Sequence, residues 1–247
     1  MILSDHTDHR PWPLPDAPWV MHQAWNDFLF THVPVDPAAV RALVPDPLEL
    51  QLHDGTCYLG IIPFHMTDVR PRGTVNVPGL SAFPELNVRA YVTYGGRSGV
   101  FFLSLEAHNR LAVETARLTY DLPYYAADMH WERVGRTVHY RARRTDTRGP
   151  AAAWEGRYTP EGDPFFAPAG SLERWLSERY CLFTVDAGGQ VWLTDVHHMP
   201  WPLRRVHVEV DTNTMAAAHG LAADGPMHTM YSPGVDVLVW TPRRFGP

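Results

Sequence analysis

Phe83-Pro84-Glu85-Leu86-Asn87-Val88-Arg89-Ala90-Tyr91-Val92-Thr93 is the stretch on which the fold turns. Successive side chains of a strand point to opposite faces. Glu85, Asn87, Arg89, Tyr91 and Thr93 therefore share one face, and Leu86, Val88, Ala90 and Val92 share the other. The second face is core. The first carries an acid, an amide, a guanidinium and a phenol in a row. On an outer wall this row meets water and Glu85 and Arg89 form a surface pair, which is the usual fate of a polar strand face. Inside a barrel the same row is a binding surface. The pattern alone favours the outer wall.

Working outward, the neighbouring segments also read as strands. Cys57 to Phe64 is mostly apolar, and His53-Asp54-Gly55 before it is a hairpin turn of the Asp-Gly type. Leu48 to Leu52 alternates, as expected of a strand with one wet face. Val100 to Leu105 follows across the tight loop Gly95-Gly96-Arg97-Ser98-Gly99. Further strands are expected at Trp25–Val35, Met129–Val134, Thr137–Arg143, Cys181–Val185, Val191–Val196, Val206–Val210 and Val235–Trp240. Residues 145–168 read as a looser segment with several Gly and Pro.

Helices are few and short. Asp36-Pro37 opens one through Leu43, with Asp as cap and Pro in the first turn. Asn109 to Leu118 is a second, capped by Asn109, whose apolar side is expected to include Leu111, Ala112, Val113, Ala116 and Leu118. Ser171 caps a third, with Leu172, Trp175, Leu176 and Tyr180 in one stripe. A short helix near Thr214–His219 closes on Gly220. Without regular β–α alternation a doubly wound parallel sheet is not expected. The expected fold is α+β: one domain over 1–247, built on a mostly antiparallel, curved sheet or barrel with a few peripheral helices. Residues 1–20, with Pro11, Pro13, Pro15 and Pro18, form an extended, solvated arm.

Composition narrows the function. The 247 residues carry 21 basic side chains, every one of them Arg, and a net charge of −6. Scattered arginines on an acidic chain argue against a nucleic-acid partner. No run of eighteen apolar residues exists, so no membrane span is expected. Met1-Ile2-Leu3-Ser4-Asp5-His6 lacks the pattern of a secretion signal. Cys57 and Cys181 fit buried thiols in a reducing cytoplasm. A small-molecule ligand is the expected partner, and homo-oligomerisation stays open.

Few motifs carry chemistry. In Val196-His197-His198-Met199-Pro200-Trp201-Pro202-Leu203 the two His point to opposite sides of a strand, so they make a poor metal pair, and one of them can share a pocket with Trp201. Which of the two does so is open. No His-x-x-x-His with a carboxylate, no Gly-x-Ser-x-Gly and no phosphate-binding loop occurs. No metal and no cofactor are expected. Arg179 lies near the edge where the third helix meets the sheet, as a structural ion pair or a pocket cation.

Several blocks in order resemble a known family. Val35-Asp36-Pro37-Ala38-Ala39-Val40-Arg41-Ala42-Leu43-Val44-Pro45 with Pro47-Leu48-Glu49 is similar to the opening of acetoacetate decarboxylase-like proteins. Phe83 to Val92, Gly99 to Leu105, Ala116-Arg117 with Leu122-Pro123-Tyr124, Ser171-Leu172-Glu173 with Glu178-Arg179-Tyr180, His198 to Leu203 and Tyr231 to Trp240 resemble a branch of that superfamily, the uncharacterised YqjF-like proteins. The resemblance implies a cone-like β-barrel around a ligand cavity, and so turns the Glu85/Asn87/Arg89 face inward. The decarboxylases use a lysine amine whose pKa is lowered by desolvation and a cationic neighbour. By the resemblance that lysine falls at Leu118-Thr119 and the family arginine near Asn26, so lysine Schiff-base decarboxylation is excluded.

Two functions then remain. One is an enzyme using acid–base chemistry on a small oxo-acid or carbonyl compound, with Glu85 as acid or base, Arg89 holding an anionic group and His198 or Tyr124 assisting; Asn87, Tyr91 and Arg179 would help bind. The other is a sensor, carrier or buffer that only binds an apolar or amphipathic molecule, largely through Trp25, Phe101, Tyr124 and Trp201. A buried Glu85 beside Arg89 favours the first, and an uncharged apolar cavity the second.

Overall fold

The computed structural model describes residues 3–223 and 225–246, with only the backbone of residue 112. The expectations placed on Met1, Ile2 and the Ala112 side chain lie outside it. Thirteen strands form one sheet: β1 (Met21–Val35), β2 (Glu49–Leu50), β3 (Cys57–Pro71), β4 (Phe83–Tyr94), β5 (Arg97–Ala107), β6 (Tyr124–Val134), β7 (Thr137–Arg144), β8 (Ala153–Phe165), β9 (Cys181–Val185), β10 (Val191–His198), β11 (Leu203–Asn213), β12 (His228–Val239) and β13 (Arg243–Arg244). Three α-helices accompany them: α1 (Pro37–Arg41), α2 (Arg110–Tyr120) and α3 (Leu172–Ser177). Pairing is antiparallel except where β5 meets β6 and β9.

The sheet curves strongly but does not close as one regular barrel, because its pairings branch at β5 and β12. One circuit runs β12-β1-β3-β4-β5 and returns through β9 and β10. The other leaves β5 through β6, β7, β8 and β11 and rejoins β12. The five shared strands are a wall between two interiors, and alternation along them sorts side chains to one side or the other. Leu29, Leu59, Ile61, Leu86, Val88, Ala90 and Phe101 pack with Val138, Tyr140, Trp154 and Tyr158. Phe28, Phe30, Ile62, Phe64, Phe83, Tyr91 and Phe102 pack on the opposite side with Leu176 and Trp201. The polar row on β4 is therefore no wet outer wall: Glu85, Asn87, Arg89 and Tyr91 are all buried.

Local chemistry explains most boundaries. Asp36 caps α1 by accepting from the Ala38 N–H at 3.1 Å. Asp54 and Gly55 take positive φ (47° and 79°) in the tight hairpin that launches β3. Other expectations fail. The loose segment 145–168 contains β8, whose Trp154, Gly156, Tyr158 and Pro160 alternate into the core; Gly156, Pro160 and Gly162 disguise it. Gly156 is tolerated because a neighbouring strand backbone passes there: a Cβ would sit 2.4 Å from the Glu209 carbonyl oxygen. On α2, Val113 is buried but Leu111 and Leu118 are exposed. Tyr180 lies beyond the end of α3, which stops at Ser177. The strand expected over 48–52 pairs only at Glu49–Leu50.

The N-terminal arm is latched and not freely solvated. Arg10 donates to the Val196 carbonyl at 2.6 Å, and Trp12 Nε1 donates to Asp195 at 3.1 Å. Asp195 is buried and also meets Arg97 at 3.3 Å and Arg243 at 3.2 Å, so one carboxylate ties the arm, a hairpin turn and the C-terminal strand to β10. Among the described residues, no helix is long and apolar enough to cross a membrane.

A wall buried on both sides has a measurable consequence. Leu86→Ala and Phe30→Ala remove side chains facing opposite interiors, and each is expected to cost about 2–5 kcal/mol in urea unfolding. A loss below about 1 kcal/mol for either would mean that its side of the wall is not packed.

Candidate functional site

The circuit closed by β9 and β10 encloses a cavity of about 320 Å³, and α2 lies across one end of it. Its walls are largely apolar: Trp25, Phe28, Phe64, Phe102, Leu182 and Val196. Trp25 stacks on Phe28 at 5.9 Å and on Trp201 at 6.1 Å, which fixes the aromatic wall. Glu85, Asn87 and Arg89 on β4, Arg179 and Ser177 after α3, Tyr124 at the start of β6 and His198 at the end of β10 supply polar groups.

Glu85 is buried, and the Tyr124 hydroxyl donates to its Oε2 at 2.7 Å. The Tyr140 hydroxyl holds the Glu85 backbone carbonyl at 2.7 Å, which fixes the strand under the acid. Burial raises the Glu85 pKa to about 8; the Tyr124 hydrogen bond pulls it down, and Glu106 behind the wall adds to the rise. Glu85 therefore carries a proton at neutral pH. The phenol of Tyr124 is in turn pushed well above its usual value by burial and by Glu85.

Glu85 and Arg89 do not pair. They stand four residues apart on one face, about 13 Å at 3.3 Å per residue. The Arg89 guanidinium leans away from the acid, donating to the Tyr91 hydroxyl at 3.2 Å and the Leu176 carbonyl at 3.3 Å. It fits because Gly60 faces it across the ladder, where even a Cβ would come within 3.0 Å of Arg89 Cγ. Arg179 approaches the same place from the other side. It donates to the Trp175 carbonyl at 2.8 Å and to Gln51 at 2.6 Å. Both guanidiniums lie over the Tyr91 ring, at 5.5 and 4.8 Å from its centroid. Burial lowers the Arg179 pKa to about 10, and Arg89 acts in the same direction.

The other expected residues divide. His198 is the cavity-side histidine, while His197 turns to the arm, its Nε2 2.9 Å from the Leu3 carbonyl oxygen. Both ring nitrogens of His198 face backbone carbonyls, Nδ1 to Met199 at 2.7 Å and Nε2 to Arg179 at 3.2 Å. Burial lowers its pKa. In this arrangement both of its nitrogens are engaged by the backbone. Tyr91 sits behind the two arginines, its hydroxyl 2.6 Å from His32 Nε2, and does not line the cavity. Phe101 faces the other interior, and Phe102 takes its place. Trp25, Tyr124, Arg179 and Trp201 line the cavity.

Sequence reasoning missed Ser177, Phe28, Phe64 and Phe102. Alternation could have found Phe64, which faces Glu85 across the ladder; Phe28 joins Trp25 only because Asp27 takes a positive φ and breaks the alternation of β1, and Phe102 depends on the shifted register of β5 against β4. Nothing local marks Ser177, which enters the site only because α3 ends there. Thr119, where the family lysine was expected, also lines the cavity, while Asn26 is spent on Thr67 and backbone carbonyls.

The proton on Glu85 links the site to stability. Its native pKa of about 8 lies above the ordinary value of 4.5, so the native state binds more protons than the unfolded chain between these limits. Stability that is full below about pH 4.5 is lost as pH rises towards 8, at up to about 1.4 kcal/mol per pH unit. Glu85→Gln should flatten that part of the profile. Urea midpoints of both proteins at pH 5 and pH 8 test this, and parallel profiles would contradict it.

Comparison with known proteins agrees with the fold. The model of a family described as an uncharacterized conserved protein, DUF2071, matches residues 22–236. The chain is 42% identical over 235 residues to the uncharacterized protein YqjF of Bacillus subtilis (strain 168), covering 94% of this chain and 95% of that one. Acetoacetate decarboxylase from Legionella pneumophila has a similar structure, with a TM-score of 0.65 and 15% identity over 99% of this chain and 95% of that one. So does an acetoacetate decarboxylase-like enzyme from Sphingomonas wittichii RW1, with a TM-score of 0.63 and 15% identity over 96% and 98%. The enduracididine biosynthesis enzyme MppR, solved with pyruvate, gives 0.62 and 14% over 95% and 93%. At these identities the likeness is one of fold.

Proposed function

The chain belongs to the DUF2071 family of uncharacterized conserved proteins, and we propose that this member is an enzyme acting by acid–base chemistry on a carbonyl compound that carries an anionic group, without a Schiff base. The observation that carries this reading is a carboxylic acid held protonated to about pH 8 in the wall of a largely apolar cavity, with a tyrosine hydroxyl on one of its oxygens. Such a group is suited to donate to a carbonyl oxygen near neutral pH. Arg89 and Arg179 supply the positive charge for the anionic group. The enzymes of similar fold, an acetoacetate decarboxylase and a protein solved with pyruvate, add weight to a carbonyl substrate.

The step is enolisation. Glu85 gives its proton to the carbonyl oxygen as the α C–H bond breaks, and the α-proton passes to water. The reverse step returns the ketone with a hydrogen taken from solvent. Tyr124 keeps Glu85 Oε2 occupied, so the donated proton sits on Oε1. A chain without lysine has no side-chain amine for an imine. A non-catalytic carrier is the second reading, favoured by the stacked aromatic wall of Trp25, Phe28 and Trp201.

Exchange of α-hydrogens in deuterated water, followed by proton NMR over a panel of oxo-acids, separates the two readings. Exchange should be catalysed, should fall above about pH 8, and should drop about 10²-fold or more in Glu85→Gln. Ligand binding with no exchange in either protein would leave the carrier. In a parallel test, borohydride added with an oxo-acid should leave no mass adduct on any side chain; an adduct would overturn the proposed chemistry.

A further inference from the structure

The far end of the cavity holds positive charge that no carboxylate among the described residues pairs with. Arg89 and Arg179 are both buried, and among the described residues neither has a carboxylate within ion-pair distance. The acid next to Arg179, Glu178, is spent on the Tyr180 hydroxyl and the Trp201 backbone N–H. A buried ion without a partner costs several kcal/mol, so two side by side call for a counter-charge from outside the chain. Unused donors stand beside them. Arg179 Nη2, Ser177 Oγ and Trp201 Nε1 are buried and have no hydrogen-bond partner in the protein, and all three residues line the cavity. Arg179 and Ser177 are 7% and 3% exposed. Other buried polar atoms, such as Trp154 Nε1 in the opposite interior, also lack a partner among the described residues, so it is the grouping of Arg179 and Ser177 beside the unpaired charge that singles out this end.

Spacing then limits the ligand. The Cα atoms of Glu85 and Arg89 stand about four strand residues, or about 13 Å, apart, and the Arg89 guanidinium is drawn on towards Tyr91 and Leu176. The cavity between them is walled by Trp25, Phe28, Phe64 and Phe102, and the opposite rim includes exposed Leu80 and Leu111. A β-oxo acid, whose carboxylate is two bonds from its carbonyl, cannot reach both ends. We infer that the cavity takes an elongated, medium-chain carboxylic acid, its carboxylate bound by Arg89, Arg179 and Ser177 and its alkyl chain running along the aromatic wall towards Glu85. This deepens the acid–base reading and rests on it only for the position of the reacting carbonyl, which lies remote from the carboxylate. The carboxylate is held away from the acid, so it is retained and not lost as carbon dioxide.

Calorimetric titration of the unmutated protein with decanoate, decanol and butanoate tests the inference. Decanoate should bind about tenfold or more tightly than decanol, which lacks the charge, and than butanoate, which lacks the chain. Arg179→Met and Ser177→Ala should each weaken decanoate while leaving decanol unchanged, and decanol binding shows that the variants are folded. Equal affinity for decanoate and decanol, or for decanoate and butanoate, overturns the inference, as does an Arg179→Met protein that keeps its decanoate affinity. If that variant does not fold, the three-ligand comparison on the unmutated protein decides alone. The assay reads binding and not proton transfer, so its failure leaves the role of Glu85 standing, and absence of exchange leaves this result intact.

Discussion

Everything in this molecule follows from a wall of strands that is buried on both faces. In an ordinary half-buried sheet, a polar row on one face costs nothing because water solvates it. Here β12, β1, β3, β4 and β5 serve two interiors at once. The row from Glu85 to Tyr91 has no water behind it, and each member must be satisfied inside or change its charge state. Glu85 does the second and keeps its proton. Arg89 is satisfied in place: it lies over aromatic rings and donates to Tyr91 and Leu176. The chemistry available to the cavity is set by those two different responses.

The same wall separates two buried charge systems. Behind it Glu106 meets Arg144 directly, and the Arg144 guanidinium stacks at 4.0 Å over Tyr125. That pair is closed and structural. The arginines on the cavity side are open. Among the described residues Arg89 and Arg179 have no acid within ion-pair distance, and the proposed carboxylate site rests on that contrast.

Much of this was legible in the residues. Strand alternation alone gave the two faces of β4, and resemblance to a family turned the polar one inward. Which histidine faces the cavity was not legible, because His197 and His198 differ only in a strand phase that the N-terminal arm and β12 decide. Nor was the engagement of His198, whose two nitrogens are reached by the carbonyls of Arg179 and Met199. Phe101 was assigned to the pocket although its neighbour Phe102 holds that place; the choice needed the register of β5 against β4, which shifts between Val88 and Arg89. Strand β8 stayed hidden because its Gly and Pro fit contacts visible only once neighbouring strands pass beside it. The missing lysine, plain from the first reading, removes one mechanism but does not by itself supply another.

The polar face of β4 looks into a largely apolar cavity in which Glu85 stays protonated at neutral pH. Infrared difference spectroscopy of the unmutated protein against Glu85→Gln reads this directly through the carbonyl stretch of a protonated carboxyl group. The account predicts a band that is present at pH 7, absent from the variant, and titrates away only near pH 8. A Glu85 band that disappears near the ordinary value of 4.5 would place the acid in water and contradict the account.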